Sequence, residues 1–158
     1  MAPLLVLLAG TLLLRLAGRL GIPALDTWRD ALRAALAITF LFTASAHFTP
    51  MKHDLAAMIP APFTGSFPII YATGLLEIAG AIGILLPRTR RLAGIGLVLL
   101  MLAMFPANLS AARRGVTLRG EPPTPLVLRA PLQLLFIAAI WWTAIHRTPE
   151  ERGILAPA

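Results

Sequence analysis

The chain has 158 residues, 58% of them hydrophobic and only 13% charged, with a formal net charge of +7 and a mean hydropathy of +0.79. No soluble domain of this size hides that much apolar side chain, and several uncharged runs approach or exceed ~18 residues, the length of a membrane span. The basic residues sit at the ends of the apolar runs, where topology signals belong, which sets nucleic-acid binding aside. The lack of cysteine excludes thiol–disulfide exchange, thiolate metal ligation and Cys-held iron–sulfur clusters within this chain.

Five spans are predicted. The first, Ala2 to Leu20 within a unit 1–22, has Arg15 and Arg19 placed to snorkel at its inner end. It has no basic start and no small-residue cleavage site, so a retained helix is expected, not a signal peptide. Asp26 or Thr27 can cap the second, Trp28–Phe48, whose strictly apolar part is Ala34–Phe48 because of Arg29, Asp30 and Arg33.

The next segment, 50–66, carries Pro50, Pro60, Pro62 and Gly65 and breaks the pattern. Within it Met51, Leu55, Met58 and Ile59 share a face, predicting a short amphipathic helix lying on the outer surface. The third span is Phe67–Leu86 and the fourth Leu92–Ala112, followed by a Pro/Gly-rich loop. The fifth is expected from near Ala130, with Pro131 in its first turn, to near Ile145, and residues 147–158 read as a cytoplasmic tail. Five crossings place nine basic residues on one side and five on the other. That bias predicts the N-terminus outside and the C-terminus in the cytoplasm, with Trp141 and Trp142 at the inner interface. Arginine supplies all but Lys52 of the basic residues, which points to a bacterial source and hence to the inner membrane.

Glu77 is the one charge in its apolar run of twenty residues, Phe67 to Leu86. An ionisable group there costs at least ~2.5 kcal/mol at a helix centre, so it marks a functional site or a buried pair. By its own helix it lies roughly 14 Å below the start, near mid-membrane. Helical spacing also groups Thr39, Thr43 and His47; Thr73, Gly74, Glu77, Gly80 and Ala81; Met101, Met104, Phe105 and Asn108; and Arg129 with Gln133. These stripes are expected to converge on one outward-opening, partly polar pocket. His47 and Glu77 are its candidate acid–base pair, and Arg129, Asn108, Gln133, Thr43, Thr73 and Tyr71 are candidates for binding.

Plainer readings stand beside these. Glu77 and Arg129 can pair only to hold helices together; an unpaired Glu77 would take up a proton and carry it. His47 can be an interfacial cap, and Asn108 can bond carbonyls freed by Pro106. A copper(I) site from His47, Met51, His53 and Met58 is chemically reasonable, but no metal is expected.

His47-Phe-Thr-Pro50, Thr73 to Gly83 followed by Leu-Leu-Pro87, Arg90 to Gly94, Phe105-Pro-Ala-Asn108 and Arg129-Ala-Pro-Leu-Gln133 follow one another along the chain. Together these segments resemble the DoxX-like family of small bacterial membrane proteins. The resemblance runs from about Ala34 to Ile145. It implies an all-α polytopic fold, a four-helix membrane bundle over 28–146, to which the first span is an added helix. It further implies association with a membrane oxidoreductase system, a quinone as bound substrate, and a membrane or periplasmic redox partner, with self-association left open. Two other functions remain: a lipophile isomerase or hydrolase using Glu77 and His47, and a non-catalytic scaffold or assembly factor locked by a Glu77–Arg129 pair.

Overall fold

The computed structural model describes residues 2–118, 120–121 and 125–146. The expected tail, 147–158, lies outside them, as do Arg119, Arg147 and Arg152 of the charge count. The helices are α1 (Ala2–Arg19), α2 (Trp28–Ser45, prolonged by a 3-10 turn to Phe48), α3 (Lys52–Met58), α4 (Phe67–Leu85), α5 (Arg90–Arg114) and α6 (Leu126–Ile140, running into a π turn at Trp141–Ile145). All but α3 are long and apolar enough to cross a membrane. The only extended pairing among the described residues is a bridge between Leu118 and Glu121.

Local chemistry sets the helix ends. Thr27 caps α2, its hydroxyl oxygen accepting from the Asp30 N–H at 3.0 Å. Gly115 ends α5 in the left-handed conformation, at a φ of 65°, which costs glycine little. The fifth span begins earlier than the sequence suggested. Pro125 is the N-cap, and its carbonyl accepts from the Leu128 and Arg129 N–H groups at 3.0 Å each. Pro131 therefore lies inside α6, where it withdraws the helical donor of the Val127 carbonyl. Arg129 becomes part of the first turn, not of a preceding loop.

Packing follows the small residues. α1 lies along α2, α2 along α4, α4 along α5, and α6 with its π turn against α5 and α2. A Cβ on Gly80 would fall 2.4 Å from a Leu97 methyl, and one on Gly94 would fall 2.9 Å from the Ala144 Cβ. Hydrogen at these positions is what lets the neighbouring helices approach. The main core holds Leu36, Ile84, Leu97 and Ile140, all fully buried, and Phe40 meets Phe136 edge-on at 6.4 Å. This packed half lies toward the end of the molecule where α2 and α5 begin. The other half is hollow. Leu12, Leu92, Leu99, Val127 and Leu134 are exposed on the outside, a surface suited to acyl chains.

At the packed end, Arg33 is buried, donating from Nε to the Thr143 carbonyl at 2.9 Å and from Nη1 to Asp30 at 2.6 Å. Arg29 donates to the carbonyls of Trp142 (3.1 Å) and His146. These two arginines satisfy carbonyls at the C-terminal end of α6, where the helix widens. Arg15 pairs with Asp26 at 3.3 Å and lies 5.8 Å over the Trp28 ring.

Candidate functional site

The hollow half encloses a cavity of about 600 Å³, large enough for a drug-sized or lipid-like molecule. Its walls come from the C-terminal end of α2, the middle of α4, the C-terminal half of α5, the start of α6, and α3. Phe40 and Phe136, in edge contact, also line it. Four methionines, Met51, Met58, Met101 and Met104, line it as well, giving a deformable apolar surface.

Glu77 faces inward and is only 6% exposed. Its Oε2 lies 2.9 Å from the Thr43 hydroxyl, which also reaches the Phe40 carbonyl at 3.0 Å. One hydroxyl proton cannot serve both acceptors. An ionised Glu77 accepts it; a protonated Glu77 donates to Thr43, which then donates to Phe40. Both protonation states are thus satisfied without rebuilding the site. Thr43 lies two residues before the end of α2, so Glu77 is level with the C-terminal end of α2. It is deep along α4 because the first turns of α4 rise beside α3.

His47, 3% exposed, presents Nε2 to Glu77 Oε1 at 3.7 Å. Its Nδ1 lies 2.8 Å from the Ile70 carbonyl and 3.2 Å from Thr73 Oγ1. A carbonyl can only accept, so Nδ1 carries a proton, and Nε2 is the atom free to gain or lose one. Thr73 has the carbonyls of Ile69 and Ile70 as alternative acceptors for its single hydroxyl proton, each at 2.9 Å. It sits behind the imidazole and does not line the cavity. Gly74 makes the arrangement fit, since a Cβ there would be 2.7 Å from the His47 Cβ.

Arg129, Asn108 and Gln133 line the same cavity on its α5–α6 side. Arg129 Nη1 donates to Asn108 Oδ1 at 2.7 Å, and Gln133 Nε2 donates to the Met101 carbonyl at 3.1 Å. The alternative reading of a Glu77–Arg129 pair is not met: among the described residues each has other partners. Helical position explains it, because Arg129 lies one turn N-terminal to Gln133 on α6, while Glu77 lies across the cavity against α2. Among the described residues the bond shown for the Asn108 side chain is the one it accepts from Arg129, not one to a carbonyl freed by Pro106.

Tyr71 does not join the site. Six residues before Glu77, it points about 120° away around the helix axis. It stacks on Phe48 at 6.0 Å, and its hydroxyl accepts from Lys52 at 2.9 Å. Phe105 likewise does not line the cavity, whereas its neighbours Met101, Met104 and Asn108 do.

The short helix α3 turns the predicted apolar face inward. Met51, Leu55 and Met58 line the cavity, while Ala56 and Ile59 pack on Ile70 of α4. Arg114 of α5 fastens its end, donating to the carbonyls of Ala57, Met58 and Ile59 at 2.8, 3.0 and 3.2 Å. The cavity also touches Ala2, Pro3 and Leu4 of α1, which the sequence did not assign to the site. Their apolar run carried no polar signal that could have pointed there. Among the described residues there is no group of three His, Asp or Glu side chains able to hold a metal.

A family model described as "Domain of unknown function (DUF8561)" matches residues 36–144, more than half of the chain. The chain belongs to this family. The DUF8561 region contains the polar side chains of the cavity and begins within α2, leaving α1 outside it. No curated protein and no solved structure matches the chain.

Proposed function

We infer that this DUF8561 protein crosses the bacterial inner membrane five times, N-terminus outside, and that its cavity binds a quinone or a similar lipophile. In this reading α2, α4, α5 and α6 are a four-helix bundle of the DoxX-like kind, α1 is an added helix, and a membrane oxidoreductase partner supplies or removes electrons. One observation carries the reading: a carboxyl and an imidazole face each other inside a cavity otherwise lined mainly by methionine, leucine and phenylalanine. Reducing a quinone to its quinol takes two electrons and two protons. The electrons come from the partner, and this chain offers two proton positions, His47 Nε2 and Glu77. Their 3.7 Å separation is wider than a hydrogen bond, so neither atom is saturated by the other.

The separate partners of Glu77 and Arg129 favour a working site over a locking pair. The test is thermal unfolding of the purified full chain with a short-chain quinone analogue. A rise in Tm that Glu77→Gln abolishes supports the reading; no rise with any quinone overturns it. Turnover of a lipid without an electron acceptor would assign the same pair to isomerase or hydrolase chemistry.

A further inference from the structure

We propose that the cavity has a second, anion-binding subsite at Arg129 and Asn108, and that its occupant is an amphiphile with an anionic oxygen head, carboxylate or phosphate, on an apolar body. The inference rests on the cavity binding a lipophile and specifies the class of that lipophile.

Charge distribution within the cavity is the starting point. Glu77 has its own counter-group in His47 and its own hydroxyl partner in Thr43. Among the described residues Arg129 has neither: its one acceptor there is the neutral side-chain oxygen of Asn108, and no carboxylate lies within ion-pair reach. A guanidinium has five N–H donors in a planar fork that matches a carboxylate or phosphate. Since Arg129 is half-buried, most of its water is gone and the remaining donors look for an acceptor inside the cavity. A cation in a membrane-spanning helix is costly unless paired. Asn108 accepts from one edge of the fork, holding it in place and leaving the other edge for a ligand.

Helix registers separate this subsite from the acid–base pair. Gly80 of α4 abuts Leu97 of α5, so Glu77 and Met101, three and four residues further out, are about level. Gln133 bonds the Met101 carbonyl and shares that level. Arg129 is one turn earlier on α6, about 6 Å further toward the open end. An anionic head at Arg129 therefore sits outward of Glu77, with the apolar body extending between the methionines toward Phe40 and Phe136.

The test uses the full chain in nanodiscs of zwitterionic lipid, with displacement of a fluorescent fatty acid as readout. Oleate should displace it at a concentration about tenfold lower than oleyl alcohol, which has the same chain and a neutral head, as expected for one charge-assisted hydrogen-bonded contact. Arg129→Gln should reduce that ratio to about twofold or less, whereas Arg129→Lys, which keeps the charge, should preserve part of it. Equal displacement by oleate and oleyl alcohol, or a full ratio in Arg129→Gln, overturns the proposal. Displacement by inorganic phosphate alone, at concentrations where the oleate ratio holds, would assign the subsite to a free anion and overturn the amphiphile. A neutral quinone analogue measured in parallel distinguishes the two failures. If it binds while the oleate ratio is one, only the anionic subsite falls; if neither binds, the cavity reading falls as well.

Discussion

His47 Nε2 and Glu77 Oε1 face each other at 3.7 Å, while His47 Nδ1 is fixed on the Ile70 carbonyl at 2.8 Å. The imidazole is thus anchored on α4 from one side and presents a single titrating nitrogen to a carboxyl of the same helix on the other. Gly74, between Ile70 and Glu77 on α4, is the residue the ring packs against.

Gly74→Ala tests that packing directly. Its Cβ would meet His47 at 2.7 Å, with Phe48 3.1 Å away, so the ring or the helix must shift. Overpacking of this kind costs about 1–3 kcal/mol. The expected result is a lowered Tm together with loss of quinone-analogue binding. Gly96→Ala is the control: nothing lies within 4 Å of its added Cβ. It should be neutral or stabilise the helix by about 0.5–1 kcal/mol.

Separate partners for Glu77 and Arg129 predict little energetic coupling. A double-mutant cycle of Glu77→Gln and Arg129→Gln, read by unfolding in detergent, should give an interaction energy below about 0.5 kcal/mol. The cycle of Glu77→Gln with His47→Gln should exceed that figure. Strong coupling in the first cycle would show a locking pair after all.

Thr43→Val keeps the shape of the side chain and removes its hydroxyl. The ionised carboxyl then loses its one hydroxyl donor, a loss of about 1.5–3 kcal/mol for a hydrogen bond to a charged group. Stability should fall by that amount at a pH where Glu77 is ionised. Thr43→Ser, which retains the hydroxyl, should restore most of it.

Arg114 ties the end of α3 to α5 through three carbonyls. Arg114→Gln should loosen α3 without unfolding the spans. Amide exchange across residues 52–59 is expected to speed up about tenfold or more, equivalent to ~1.4 kcal/mol, with exchange in α4 unchanged below Gly74. Release of a bound lipophile should accelerate in parallel, because α3 forms part of the cavity wall. Unchanged exchange in α3 would show that the arginine does not hold it.

Arg33→Met removes a buried cation that bonds both Asp30 and the Thr143 carbonyl. Breaking a fully buried pair costs about 3–5 kcal/mol, and the partial exposure of Asp30 reduces this to roughly 2 kcal/mol. The double change with Asp30→Asn should recover part of the loss, since no unpaired carboxylate remains. A thermal-unfolding series of the single and double variants checks it.

Much of this was legible in the amino-acid order. Hydrophobic run length marked all five spans, because an apolar stretch of that length leaves a membrane as its solvent, and helical periodicity alone put Glu77, Gly74 and Gly80 on one face. Thr27 as a cap followed from hydroxyl chemistry beside the first turn. The start of α6 was misplaced because Pro131 fits a first turn as well as an interior kink, and only Pro125 upstream decided between them. Which cation meets which acid depended on the levels at which antiparallel helices settle, and those are fixed by close contacts such as Gly80 with Leu97 and Gly94 with Ala144. Packing of Ala56 and Ile59 on Ile70 sets α3 against α4 with Met51, Leu55 and Met58 in the cavity wall, and the first residues of α1 reach the cavity edge. Periodicity along one chain segment fixes which side chains share a face. Register between segments, where Arg129 found Asn108 and Glu77 found His47, is set by steric fit across the interior and exists only in three dimensions.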